Sequence, residues 1–336
     1  SSPSSSPSSS PSSSSLPVGR TRSRATNAMP SPSGRTRRRG GTISAVHGIM
    51  PPILGMDHLR AQDWKFQESS RFHVGCSETI GRRNDMQDTM VVRGQFCDKD
   101  FVDLFCVFDG HGTKQSAHFV AKHLPDALEK RLLDSKILDK QNISESDASS
   151  SSAQFDDVDN CVKSILTETF IDINKQMTFA NNNGTTALVA LIIGNRLYVA
   201  NAGDSRAVLC TNGKAKRVSV DHKATDEAEQ KRIEAMGGKV TNGRVQGILQ
   251  VSRALGDICV QPYVTAEPYI SVNELTDAEP FLVAACDGLW DCWPDQLVVT
   301  ITKGTKDPQE ASKKLVNQAY LSGSTDNISV CVIRFT

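Results

Sequence analysis

Between Thr185 and Val220 the chain reads TTALVALIIGNRLYVANAGDSRAVLCTNGKAKRVSV, apolar runs broken by Gly194-Asn195, Gly203-Asp204 and Thr211-Asn212-Gly213. The turn pairs stand too close for a helix to intervene. Such spacing predicts antiparallel hairpins and excludes a parallel β-α-β unit here. Further strands are expected over 101–108, 281–286 and 328–335, and helices over 114–133, 158–178, 226–236, 294–302 and 308–320. In the helix over 226–236 acids precede bases, and Gly237-Gly238 stops the run. Strands mixed with helix pairs define an α+β chain of sheet layers covered by helices.

The formal net charge of zero conceals a basic arm on an acidic body. Residues 1–56 hold seven Arg and no Asp or Glu, which leaves 31 basic against 38 acidic residues downstream. Residues 1–15 are only Ser and Pro and cannot bury enough apolar surface to offset their ordering entropy. We therefore divide the chain into an arm (1–56) and one folded domain (57–336), with a transition over 57–70, a body starting near Phe72 and a polar insertion loop at 139–157. The Arg runs suit an import receptor or a polyanion, or simply a solvated linker. No apolar run approaches the roughly 20 residues needed to cross a membrane. Nine cysteines without CxxC spacing read as small hydrophobes in a reducing compartment, cytoplasmic or nuclear. A chain beginning with Ser leaves earlier removal of a secretion signal open. Nothing calls for an obligate oligomer, so a monomer is expected.

Acidic residues recur where apolar runs end. Asp109 follows Phe105–Phe108, Asp287 follows FLVAAC, Asp204 follows LYVANAG, Asp257 closes SRALGD, and Asp326 precedes ISVCVI. Each alone is an ordinary turn residue. Together they form a carboxylate cluster whose repulsion a hard divalent cation relieves, and oxygen donors suit magnesium or manganese. Two such ions can activate water at neutral pH and neutralise phosphate charge, which suits phosphate-ester hydrolysis.

Seven motifs occur in order: RRNDMQD (82–88), VFDGHG (107–112), GTTAL (184–188), NAGDSRA (201–207), VSRALGD (251–257), ACDGLWD (285–291) and TDNISV (325–330). Over residues 72–336 the chain resembles the PP2C (PPM) family of metal-dependent protein serine/threonine phosphatases. The resemblance implies an α-β-β-α sandwich, two central antiparallel sheets flanked by helix pairs, acting on phosphoproteins with two Mg2+ or Mn2+ ions. It implies that Asp109 bridges the metals, that the Gly110 carbonyl binds one, and that Asp287 and Asp326 bind the other. Arg83 is implied to hold the phosphate, His111 to protonate the departing oxygen, and Asp88 to hold metal-bound water. Asp204 and Asp291, with Asp287, correspond to a third, weaker metal site. Where the family often has Glu, this chain has Gln87, which can still accept a hydrogen bond but supplies no charge. Somewhat weaker metal binding is expected there.

Three rival readings are distinguishable. Cys76 and Arg82 fit the C-x5-R spacing of cysteine-dependent phosphatases, although Gly75 precedes the cysteine and Thr79 takes the mid-loop place. A catalytically weak pseudophosphatase acting as a binding module would show substitutions at Asp109, Asp287 or Asp326, yet all three are present. A polyanion-binding protein would act through the Arg arm with a steep salt dependence.

Overall fold

A computed structural model describes residues 50–62, 65–141 and 152–335. Two sheets stack face to face. The six-stranded sheet runs in the order Phe66–Gln67, Thr89–Arg93, Val102–Phe108, Ala187–Ile193, Arg196–Ala202, Tyr269–Glu274. The five-stranded sheet runs Lys214–Arg217, Arg206–Thr211, Phe281–Ala285, Ile328–Phe335, Phe72–Thr79. Helices Lys114–Asp134 and Ser152–Gln176 cover the first sheet, and Asp295–Lys303 and Pro308–Leu321 cover the second.

The alternation of side chains explains this layering. In Val102–Phe108, Phe105 and Val107 enter the core between the sheets, while Leu104, Cys106 and Phe108 face the helices. In Phe281–Ala285, Leu282 and Ala284 point inward while Phe281, Val283 and Ala285 meet the outer helices. Strands buried on both faces read as continuous apolar runs, which is why these were legible without periodicity. Pro308–Leu321 starts where Asp307 accepts the Glu310 N–H at 2.9 Å, with Pro308 in the first turn, where its missing N–H costs nothing.

Several expectations need correction. Gly203-Asp204 does not close a hairpin. Arg196–Ala202 belongs to one sheet and Arg206–Thr211 to the other, so this turn carries the chain across the sandwich. A tight turn signals reversal of the chain, not pairing of its flanks. The six-stranded sheet is antiparallel except at one edge, where Phe66–Gln67 lies parallel to Thr89–Arg93. The fold also begins before Phe72. Leu54 and Glu78 exchange two backbone hydrogen bonds of 2.8 Å, and Met56 and Leu59 enter the inter-sheet core. Within the expected insertion, Ile137–Gln141 and the residues from Ser152 onward are helical. Residues 142–151, and the arm up to residue 49, lie outside the described residues. No helix among the described residues is long and apolar enough to cross a membrane.

A three-stranded ribbon was not foreseen. Gly184–Thr185 pairs with both Gly110–His111 and Leu255–Gly256.

Phe105 is 2% exposed between the two sheets. Phe105→Ala is expected to lower unfolding stability by about 3–5 kcal/mol in urea titration. A loss below about 1 kcal/mol would show that the inter-sheet core is not close-packed there.

Candidate active site

Strand ends from both sheets converge on one acidic cluster. Asp109 follows Val102–Phe108 and Asp88 precedes Thr89–Arg93, both in the six-stranded sheet. Asp287 follows Phe281–Ala285 by two residues, and Asp326 precedes Ile328–Phe335 by two, both in the five-stranded sheet. Asp204 sits on the crossing turn. The backbone around Asp109 is pinned. Its N–H donates to Thr186 Oγ1 at 3.1 Å, and its carbonyl accepts from the Thr186 N–H at 2.8 Å and the Thr185 hydroxyl at 3.1 Å.

The glycines after Asp109 and Asp287 are dictated by close approach. A Cβ at Gly110 would lie 2.5 Å from the Gln87 carbonyl oxygen, and one at Gly288 would lie 2.0 Å from that of Asn327. Asn327 in turn clamps the preceding loop. Its amide donates to the Ile80 and Asp85 carbonyls at 2.9 and 3.0 Å, and its Oδ1 accepts the Gln87 N–H at 2.8 Å.

Charge is crowded here. Burial, reinforced by Asp88, Asp287, Asp204 and Asp326, holds the Asp109 carboxyl well above the usual range. Burial and the carboxylates of Asp204, Asp326, Asp291 and Asp88 do the same to Asp287. Burial pushes Asp88 up to about 7, against a hydrogen bond of 2.8 Å from the Ser329 hydroxyl. Burial also raises Asp204, opposed by Lys223. Tethered cations reach the rim of this cluster. Arg83 Nη2 lies 2.5 Å from Asp326 Oδ2, and Lys223 Nζ lies 2.9 Å from Asp291 Oδ1 and 3.7 Å from Asp204 Oδ2. Among the described residues, Asp88, Asp109 and Cys286 bring one potential ligand atom each within 4.8 Å of one another. Buried carboxylates that repel one another, with oxygen donors in the majority, fit a hard divalent cation.

A model of the protein phosphatase 2C family matches residues 72–328. Two Arabidopsis thaliana proteins, probable protein phosphatase 2C 71 and probable protein phosphatase 2C 69, are 37% and 36% identical over 276 residues, 80% of this chain in each case. The chain spans 56% of the length of the first and 71% of the second. The chain belongs to the protein phosphatase 2C family. Probable protein phosphatase 2C 45 of Oryza sativa subsp. japonica is 34% identical over 86% of this chain and 96% of its own length. Among solved structures, a C. elegans sex determining protein superposes with a TM-score of 0.65 at 26% identity, covering 80% of this chain and 66% of that one. Serine-threonine phosphatase 2C from Toxoplasma gondii also gives 0.65, over 85% of this chain and all of that one; at 20% identity it shows the shared fold. The domain is thus that of a metal-dependent protein serine/threonine phosphatase, and no observation favours a pseudophosphatase.

Within this PP2C domain the two arginines of RRNDMQD separate cleanly. Arg83 reaches the acidic cluster, whereas Arg82 donates to the Ser324 and Tyr320 carbonyls and stacks 4.3 Å over the Tyr320 ring. The cysteine alternative is excluded. Cys76 is fully buried, its Sγ lies 2.9 Å from that of Cys331, and burial pushes its thiol well up, away from the thiolate a nucleophile needs. Asp291 is exposed and engaged by Lys223, so an ammonium already serves the carboxylates of the expected third metal site.

Two contributors escaped the sequence reading and a third was misplaced by it. Cys286, read there as a small hydrophobe, lies against the carboxylates. Asn327 organises the 80–87 loop, and its position beside Asp326 in TDNISV was its only signal. Asp257, grouped by sequence with the other strand-end carboxylates, instead contacts His111, with Oδ2 2.7 Å from Nε2.

The electrostatics fix a pH dependence. Asp88 titrates near 7 in the folded chain but at its ordinary value of 3.8 when unfolded. Below that value both states hold the proton. From about pH 4 to 7 only the folded state holds it, so stability of the metal-free chain falls as pH rises through this window. The raised carboxyls of Asp109 and Asp287 act in the same direction. Melting of the EDTA-treated protein should therefore occur at lower temperature at pH 7.5 than at pH 5. Millimolar manganese should raise Tm more at pH 7.5, because binding must displace these protons. Asp109→Asn should raise the metal-free Tm at pH 7.5 and erase most of the manganese effect; a metal response equal to wild type would contradict this assignment of the cluster.

Proposed function

We propose that this chain hydrolyses phosphoserine and phosphothreonine in proteins by direct attack of water, at a centre for two Mg2+ or Mn2+ ions. The observation that carries this reading is the convergence of mutually repelling carboxylates from both sheets on one buried point. In this reading Asp109 and the Gly110 carbonyl would hold one ion, and Asp287 and Asp326, with Asp109, the other. When bound, the ions supply acidification of water and neutralisation of phosphate charge.

The remaining groups act through their own chemistry. Asp88, buried and fixed by the Ser329 hydroxyl, is positioned to accept a hydrogen bond from the attacking water. Gln87 contributes a neutral acceptor only. Arg83 grips two phosphate oxygens with its guanidinium fork, exchanging its ion pair with Asp326 for the substrate. His111 gives a proton to the departing serine or threonine oxygen. Asp204 and Asp291, with Asp287, would form a weaker cation site for which Lys223 competes. The Arg-bearing arm, as a segment for an import receptor or polyanion, and a monomeric state are further proposals, the first supported by seven Arg without an acid in residues 1–56.

The test is phosphate release from a phosphothreonine peptide with manganese or magnesium, repeated with excess EDTA. Activity should require metal and vanish in EDTA; activity surviving EDTA would overturn the reading. Asp109→Ala is expected to lower kcat at least about 100-fold. Arg83→Ala should raise KM about 10- to 100-fold, the range for losing a charge-assisted hydrogen bond, and an unchanged KM would remove its phosphate-holding role.

A further inference from the structure

We propose that Asp257 is the positioning residue for His111, setting the orientation and tautomer of its imidazole; this rests on the reading of His111 as proton donor. The pair is close and asymmetric in exposure. His111 Nε2 lies 2.7 Å from Asp257 Oδ2, with side-chain exposures of 28% and 4%. Among the described residues, no other basic side chain lies within 4.0 Å of the Asp257 carboxylate.

The three-stranded ribbon exists around this contact. Gly184 sits opposite His111 on one side and Gly256 on the other, which brings Asp257 beside the imidazole. Gly184 must lack a side chain there: a Cβ would stand 2.0 Å from Asp257 Oδ2 and 2.8 Å from His111 Nε2. The backbone of Asp257 is held on both sides. Its N–H donates to the Asn183 carbonyl at 3.1 Å, the Gly256 N–H to Asn174 Oδ1 at 2.8 Å, and the Ile258 N–H to the Ala180 carbonyl at 3.0 Å. Asp257 takes a left-handed φ of +49°, a conformation unfavourable for a non-glycine residue unless its surroundings impose it. A carboxylate in a strained, over-determined turn, aimed at one imidazole, is the arrangement expected of a residue that fixes another's geometry.

The chemical consequence follows from what each group can do. A carboxylate only accepts, so Nε2 carries its proton toward Asp257 and Nδ1 is left for the substrate. As the water oxygen bonds to phosphorus, the bond from phosphorus to the serine or threonine oxygen breaks. His111, as the imidazolium, gives its Nδ1 proton to that oxygen; the attacking water releases one proton to bulk solvent, from which Nδ1 regains its own, so no net proton is consumed. Asp257 neither touches substrate nor changes protonation in this scheme; it holds the ring and faces the imidazolium with a negative charge.

A leaving group that needs no proton separates this role from a structural one. Wild type, Asp257→Asn, His111→Ala and the double variant, all manganese-loaded, would be compared on a phosphothreonine peptide and on 4-nitrophenyl phosphate, with Tm recorded for each. The ratio of kcat on the peptide to kcat on the aryl phosphate should fall at least about tenfold in both single variants. The double variant should be no worse than His111→Ala. Gly184→Ala, which drives a methyl into the pair, should show the same selective fall. Equal losses on both substrates in Asp257→Asn, or losses that multiply in the double variant, would overturn the proposal while leaving His111 in place. Absence of any selective loss in His111→Ala would overturn the proton-donor reading and the Asp257 proposal with it.

Discussion

Mutual repulsion among Asp88, Asp109, Asp204, Asp287 and Asp326 is the constraint around which this domain is arranged. No single element could hold these carboxylates together, because each would be driven toward solvent or protonation. The fold solves this by anchoring them at the ends of strands from two different sheets whose inner faces are welded by a shared apolar core. The favourable burial of Phe105, Leu188, Leu209 and Leu282 is thus set against local electrostatic strain. A divalent cation held here, as proposed, would relieve the strain and also tie the two sheets together at one end.

Fine positioning depends on backbone approach rather than on side-chain packing. The Gly110 and Gly288 contacts bring the 87 and 327 segments nearly against the strand ends. Asn327 then connects the 80–87 loop to the segment between Asp326 and the strand Ile328–Phe335, with three hydrogen bonds from one side chain. Arg83 and Gln87 lie on that loop. Their placement relative to the carboxylates is therefore set by an amide that itself belongs to no acid–base pair.

The apolar strands and the helices were legible in the sequence because each is long, strongly patterned and clearly stopped. The helix read over 308–320 is Pro308–Leu321, and that read over 226–236 is Glu227–Ala235. The carboxylates were legible because charge at the end of an apolar run is anomalous, and the motif order supplied their roles. What escaped detection depends on pairing over long separations. Whether Gly203-Asp204 closes a hairpin or crosses between sheets is decided by partners such as Phe281–Ala285, not by local residues. The Gly110–His111, Gly184–Thr185 and Leu255–Gly256 ribbon joins dipeptides too short for any periodic signal. Cys286 has the chemistry of a core residue and the location of a site residue, and only the fold separates the two.

The rim cations complete the electrostatic logic. Arg83 and Lys223 each carry one positive charge on a flexible stem, half or more than a third exposed, so water screens their attraction for the cluster. They lower the repulsion at the edge but cannot reach its buried centre, where the Asp109 and Asp287 carboxyls stay raised. Divalent ions bound there would act from within and bring twice the charge without side-chain entropy. In the proposed reading Asp326 could not give its full charge to both partners, so a cation bound at the centre would weaken its hold on Arg83. The guanidinium would thereby become available to a phosphate. One carboxylate shared in this way between a tethered cation and the proposed metal site would couple filling of the centre to readiness for substrate, with no larger movement of the fold required.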